Sequence, residues 1–549
     1  MPQELPETPR EMAERAAGVL GPESDLFEDL DSAGFGDALT KAVRANLANP
    51  TAPARAAFQL ASDFARIPLV ATARMFGHDA EPPVPVDPKD RRFSDAAWES
   101  NPVFYSVRLA YLAAARFARD TVGSAALDAD ASRKAVLGLD LLLDAVAPTN
   151  FLATNPAALK RAFDTAGASV VKGAQNFIDD LLHNKGRPRQ VDTTGFEVGG
   201  NLAATPAKVV YSNDLMELLQ YEPQTEQVHA TPLLCSPPWI NKYYVMDLAP
   251  DRSFIEWAVR HGRTVFAISY KNPSKQMSGT TMDDYLIHGP HAALDVIQDI
   301  TGAETIDIVG LCMGGALTAI TAAYLTQAGE GRVGTLTLLN TMLDYADPGV
   351  LGAFTDMRTV ARLEKKMRRD GVLEGTSMAG TFDILAWNAD STRMPAAMHA
   401  FYLRNFYVEN RLAAGTLEIA GRELDLSAIK APAYVVSAIN DHIVPWESSY
   451  KTTGLVSGPV RFVLSSGGHI AGIVNPPSPK AWYQIAPTDE ALPATAAAWR
   501  ARAERRSGSW WEDWANWSDE HSGPLQDPPG MGSTRHPVLG DGPGTYVRT

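Results

Sequence analysis

Residues 305–326 read TIDIVGLCMGGALTAITAAYLT, and this stretch decides the fold. A short apolar, β-branched run ends at Gly310, a small-residue turn Gly310-Leu311-Cys312-Met313-Gly314-Gly315 follows, and helix-forming text begins at Ala316. A strand-to-helix turn of the form G-x-nucleophile-x-G predicts a strained elbow that lifts one side chain above a sheet, with small neighbours making the turn feasible. Here that side chain is the thiol of Cys312. Helix N-terminal N–H groups favour negative charge at this place, on a thiolate or on the oxyanion formed when a carbonyl is attacked. A lone buried cysteine would read as core; the strand, elbow and helix in sequence point instead to catalysis.

Outward from the elbow, similar runs recur. TPLLCSP (231–237) and TVFAISY (264–270) precede it, and GTLTLLN (334–340), APAYVVSA (431–438) and VRFVLSS (460–466) follow, separated by helical text. Apolar runs of this length alternating with helices predict a parallel sheet buried on both faces. The alternation lapses from about 344 to 424 into helical, aromatic-rich text, which predicts a cap inserted into an α/β domain spanning 196–530. Upstream, VRLAYLAAARFARD (107–120) and SRKAVLGLDLLLDAV (132–146) carry helical periodicity, so residues 61–195 are expected to form a mainly helical domain. Residues 1–60 are expected as short surface helices or an arm, and 531–549 as a Gly- and Pro-rich tail. Trp510, Trp511, Trp514 and Trp517 stand just before that tail and are expected to cover the core.

The expected fold is therefore α/β, of the α/β-hydrolase type, with an inserted cap and a helical N-terminal domain. That fold orders its catalytic groups nucleophile, acid, histidine. Asp441 closes the run AYVVSAIND, and His469 follows VRFVLSSGG, where two glycines leave room for a returning loop. His469 would accept the thiol proton; Asp441 would orient the imidazole or help to activate an incoming hydroxyl. His442, contiguous with Asp441, is hard to aim at the elbow, and His183, His229 and His399 lack a comparable position. The oxyanion hole would combine the Met313 N–H with one from the loop after an early strand, where Trp239 and Ile240 are the candidates.

Composition bounds the rest. Of 549 residues, 45% are hydrophobic and 21% charged, which are values of a globular enzyme with more than one domain. A net charge of −15 with no basic stripe argues against a nucleic-acid partner. Two cysteines, Cys235 and Cys312, exclude a disulfide framework and a cysteine-based zinc site; no HExxH spacing occurs, and no metal is expected. The N-terminus lacks the basic and apolar sections of a secretory signal, and no apolar run is long enough for a transmembrane segment, so a cytoplasmic enzyme is expected.

Over most of its length the chain resembles the polyhydroxyalkanoate synthase family, single-subunit type. The resemblance rests on DRRFSDAAW (90–98), APTNFLATNPAALKRAFDT (147–165), PPWINKYYVMDL (237–248), GLCMGG (310–315), WNADSTRMPAAMHAFYLRN (387–405), NDHIVPW (440–446), GGHIAGIVNPP (467–477) and GSWWEDW (508–514). It implies an acyltransferase that polymerises (R)-3-hydroxyacyl groups from coenzyme A thioesters into a growing polyester through a covalent Cys312 thioester, with Asp441 and His469 completing the triad. It further implies a homodimer at the surface of cytoplasmic polyester granules, among granule-coat proteins, and no cofactor, coenzyme A being part of substrate and product. Cations near the cap would meet the coenzyme's phosphates, and Lys242 and Arg404 are the candidates. Fold and triad alone leave open a cysteine-dependent thioesterase or depolymerase, or a non-catalytic granule scaffold.

Overall fold

The apolar runs form strands because each is too short for a helix and rich in β-branched residues. The computed structural model describes residues 34–549 except 79, 89, 184–194, 375–386, 388, 389, 391 and 488–490. The chain divides into two compact units, Met1–Gln190 and Val191–Thr549.

The first unit is helical. Its main elements are α1 (Phe35–Ala48), α2 (Thr51–Met75), α3 (Pro102–Gly123) and α4 (Ala129–Ala145). Asn101 caps α3, accepting from Val103 N, with Pro102 at the first helical position, where a missing N–H costs nothing. Asp128 caps α4 by accepting from Ala131 N at 2.7 Å. α2 packs along α3 and α1 against α4. Gly138 permits the second contact: a Cβ there would lie 2.9 Å from Phe35 Cβ. The expected boundary at residue 60 cuts through α2, which runs unbroken from Thr51 to Met75 and buries Asp63 against Arg116. Residues 1–33 of the expected arm lie outside the described residues.

The second unit is built on a sheet of β1 (Ala207–Ser212), β2 (Met216–Tyr221), β3 (Leu233–Ser236), β4 (Val265–Tyr270), β5 (Ile306–Leu311), β6 (Val333–Leu339), β7 (Ala433–Ala438), β8 (Val460–Ser465), β9 (Trp482–Ile485), β10 (Glu504–Ser507) and β11 (Gly540–Asp541). The order across the sheet is β10-β9-β8-β7-β6-β5-β3-β4-β2-β1-β11. The strands from β8 to β4 in that order are mutually parallel, and antiparallel strands extend both sides. β3, β4, β5 and β7 are buried throughout, as strands covered on both faces must be. Behind β5 runs α5 (Met313–Gln327), an almost wholly buried helix of small and aliphatic residues.

The cap lies in sequence between β6 and β7. It contains α6 (Met357–Asp370), a two-stranded ribbon of Val372–Glu374 and Arg393–Pro395, α7 (Ala396–Tyr402), and a hairpin of Leu417–Ile419 with Arg422–Leu424. The tryptophans fall on α8 (Trp510–His521), and all four are buried. Phe254 and Tyr434 pack among them. Their indole N–H groups find partners: Trp510 donates to Gly472 O, Trp511 to Ile473 O and Trp514 to Thr337 Oγ1, each at 2.9 Å. Within residues 531–549, the Gly- and Pro-rich tail, β11 pairs with β1 and Thr545 N and Tyr546 N donate to the Glu217 carboxylate at 2.9 and 3.0 Å. Among the described residues no helix is long and apolar enough to cross a membrane, and no group of His, Cys, Asp and Glu could hold a metal ion.

Trp514→Ala should cost about 3–5 kcal/mol of stability, since it empties a large core volume and strips the buried Thr337 hydroxyl of its donor. Denaturant midpoints of the two proteins measure it.

Candidate active site

Cys312 stands between β5 and α5 at φ 53°, ψ −117°, a conformation that a residue bearing a Cβ adopts only under constraint. The constraint is visible on every side. Its N–H donates to Leu339 O at 2.8 Å, continuing the β5–β6 ladder, and its carbonyl accepts from Gly315 N at 3.0 Å and from Thr341 Oγ1 at 3.3 Å. Glycine is required around it by close approach. A Cβ on Gly310 would sit 2.5 Å from both Gly315 Cα and Thr318 Oγ1; one on Gly314 would strike the carbonyls of Ser236 and Pro237; one on Gly315 would strike the Thr341 hydroxyl.

Contact with Ser236 and Pro237 brings the start of the 237–242 loop, which holds Trp239 and Ile240, to the N-terminus of α5. Met313 is the first residue of that helix, so its N–H has no intrahelical acceptor. The Trp239 ring is buried edge-on to Tyr402, with centroids 5.5 Å apart.

Asp441 and His469 arrive from the ends of β7 and β8. Asp441 Oδ1 accepts from the backbone N–H groups of Ile443 and Val444 at 2.8 and 2.9 Å, and Oδ2 lies 2.6 Å from His469 Nδ1. The His469 backbone is held too: its carbonyl accepts from Asn340 Nδ2, and the turn beyond it is fixed by the Trp510 and Trp511 indoles on Gly472 and Ile473. With Nδ1 committed to the carboxylate, Nε2 is the ring nitrogen left for other partners, and the Cys312 side chain is close enough to act on the imidazole electrostatically. Burial alone would lower the His469 pKa, but the Cys312 sulfur and the Asp441 carboxylate outweigh it and raise it from 6.5 to about 10. The neighbouring His442 is exposed.

A wall of tyrosines completes the surroundings. Burial pushes the phenols of Tyr345, Tyr402 and Tyr407 up, and charge on Cys312 adds to the shift in all three, which places them near the sulfur. Tyr345 and Tyr402 share a hydrogen bond of 3.1 Å between hydroxyls. Sequence reasoning did not single out these residues; the aromatic density of the cap text was their signal.

One further expectation is corrected. Lys242 is 2% exposed and donates to Thr549 O at 2.5 Å, so it is spent inside the chain and not presented to a phosphate. Arg404, whose side chain is partly exposed, forms a fork on Glu364, at 2.8 Å to Oε1 and 3.0 Å to Oε2. Cys235 is buried in β3, where burial pushes its thiol up, as a structural cysteine requires.

Against known proteins, residues 89–258 match the model of the poly-beta-hydroxybutyrate polymerase N-terminus, and residues 237–476 match that of the alpha/beta hydrolase fold. The chain is 37% identical to the poly(3-hydroxyalkanoate) polymerase subunit PhaC of Rhizobium meliloti, over 98% of this chain and 91% of that one. It is 38% identical to the poly(3-hydroxyalkanoate) polymerase of Methylorubrum extorquens, over 93% of this chain and 89% of that one. The corresponding subunit of Cupriavidus necator is 36% identical, over 84% of this chain and 83% of its own length.

The raised His469 pKa has a sign that can be checked. Protonation at this site favours the folded state, so its contribution is full below the unfolded value of 6.5 and is lost as pH rises through about 10. Urea midpoints of the wild type should fall across that window, and His469→Gln should flatten that part of the curve.

Proposed function

This chain belongs to the poly(3-hydroxyalkanoate) polymerase family and is an acyltransferase that turns hydroxyacyl-coenzyme A thioesters into polyester, and from that premise we propose that the acyl group is carried on Cys312. The observation that supports this reading is the line from Asp441 Oδ2, 2.6 Å from His469 Nδ1, through the imidazole to a sulfur on a strained elbow.

In this reading His469 Nε2 takes the thiol proton, and Sγ attacks the thioester carbonyl of an (R)-3-hydroxyacyl-coenzyme A. The carbonyl oxygen, now negative, is met by the Met313 N–H and by a second amide from Trp239 or Ile240. Collapse breaks the bond to the coenzyme's sulfur, which leaves with the proton from His469. One thioester has replaced another at nearly constant free energy. The 3-hydroxyl of a further unit then loses its proton to the His469–Asp441 pair and attacks the Cys312 thioester; the bond to Sγ breaks, the departing sulfur takes up the proton from His469, and an oxoester forms whose greater stability drives elongation without ATP. Serine in place of cysteine would spend that driving force one step early. The tyrosine wall and cap matter because water competes with the hydroxyl, and its exclusion favours transfer over hydrolysis.

No cofactor enters this scheme beyond the coenzyme A of the substrate. The enzyme would work as a homodimer at the surface of cytoplasmic polyester granules, beside granule-coat proteins. Hydrolysis to free hydroxy acid, or a purely scaffolding role, is not favoured by the full-length polymerase relatives.

Purified protein given 3-hydroxybutyryl-coenzyme A should release free thiol and form high-mass polyester. Cys312→Ala should lose about a thousandfold or more of that rate, as expected for removal of a covalent nucleophile. Soluble hydroxy acid as the sole acyl product would overturn the transfer step, and turnover surviving in Cys312→Ala would overturn the role of the cysteine.

A further inference from the structure

The loop that leaves β3 is fastened at the residues just beyond the candidate oxyanion donors. Two fastenings come from the cap: Trp387 Nε1 donates to Lys242 O at 2.8 Å, and Tyr244 OH donates to Asp390 Oδ2 at 2.9 Å. A third comes from the far end of the sequence. Lys242 Nζ donates to Thr549 O at 2.5 Å, and Asn272 Nδ2 donates to the same oxygen at 3.2 Å. Asn272 Oδ1 meanwhile accepts from Arg393 N at 2.9 Å, at the start of the cap ribbon. One amide therefore joins the end of the chain to the cap.

That end is itself firmly placed. Glu217 on β2 accepts from Thr545 Oγ1 at 2.6 Å as well as from two backbone N–H groups, Tyr546 OH donates to Asn213 O at 2.8 Å, and Lys271 stands over the Tyr546 ring. Val547 is 2% exposed. An ammonium as buried as that of Lys242 loses its hydration, and a fixed acceptor has to replace it. Burial depresses the Lys242 pKa, with Asp390 opposing the shift and Arg393 adding to it, which places both cap residues within electrostatic reach.

We propose that Lys242 is a positioning residue for acyl transfer: held by the segment Gly540–Thr549 on one side and by Trp387 of the cap on the other, it fixes the loop whose Trp239 or Ile240 amide meets the oxyanion. The proposal rests on the Cys312 reading and extends it. Its physical basis is short range: Ile240 and Lys242 are two residues apart, so a loop released at Lys242 carries the donor amide with it. Small displacements of such donors are costly to rate, because their value depends on being in place before charge develops.

Lys242→Met keeps the apolar stem and removes the ammonium. Steady-state kinetics with 3-hydroxybutyryl-coenzyme A should show kcat about tenfold or more lower with KM within about twofold, the pattern of an interaction felt in the transition state. Alkylation of Cys312 by iodoacetamide, which needs no oxyanion donor, should not slow. A raised KM with kcat retained would overturn the proposal in favour of direct contact with the coenzyme. Unchanged kinetics, or alkylation slowed in step with kcat, would overturn it as well. If Lys242→Met does not fold, Asn272→Ala, which frees Thr549 from the cap ribbon without leaving a buried charge alone, is judged by the same three outcomes. The underlying reading is tested apart from this one: wild-type protein alkylated at Cys312 that still turned over would sink the cysteine, whatever Lys242 does.

Discussion

Everything in the catalytic unit is arranged around a turn that cannot relax. A side chain is held at φ 53°, ψ −117° between a buried strand and a buried helix, and conformations of this kind cost on the order of 1–3 kcal/mol unless the surroundings impose them. The imposition is steric and comes from both neighbours of β5. On one side, Ser236 and Pro237 at the end of β3 press on Gly314; on the other, Thr341 beyond β6 presses on Gly315 and hydrogen-bonds the Cys312 carbonyl. These contacts have a second effect. They put the loop with Trp239 and Ile240, and the stretch leading to Tyr345, beside the sulfur, so holding the turn and furnishing the site are accomplished by the same atoms.

Electrostatics supply what sterics do not. The Asp441 side chain is buried but accepts from two backbone N–H groups, which replace its lost hydration while its other oxygen holds the imidazole. The imidazole is buried as well, and its affinity for a proton rises because the sulfur and the carboxylate flank it. In the proposed reaction, a proton held there would lie beside the sulfur and would pass to a departing thiolate. With tyrosine phenols beyond, the proposed chemistry would take place in largely apolar surroundings, where fixed dipoles act more strongly than in water.

Much of this was legible in the sequence, and the reasons are local. The elbow is contiguous from Ile306 to Ala316, and the candidate acid and base each follow a strand whose text announces it, so order alone points to Asp441 and His469. The surroundings of Lys242 and Arg404 are not legible in the sequence because their partners are remote: Thr549 lies 307 residues from Lys242, and Glu364 lies 40 from Arg404. Nothing near a lysine in sequence tells whether it will be buried. β11 escaped notice because two residues, Gly540 and Asp541, carry no periodicity; their pairing depends on β1, far upstream. The boundary set at residue 60 failed on composition, since the polar faces of α2 mask a helix that continues through Pro68.

The margins of the sheet bear on how this molecule can live among copies of itself. One outer strand, β10, reads Glu504-Arg505-Arg506-Ser507 and is exposed along its whole length; the other, β11, is two residues long and exposed. A newcomer seeking to add a strand would face ionic side chains at one border and almost no ladder at the other. For a catalyst whose product is a water-insoluble polyester, this matters in a practical way. Crowded molecules meet at borders that offer no template for amyloid-like stacking, so high local density need not become irreversible clumping.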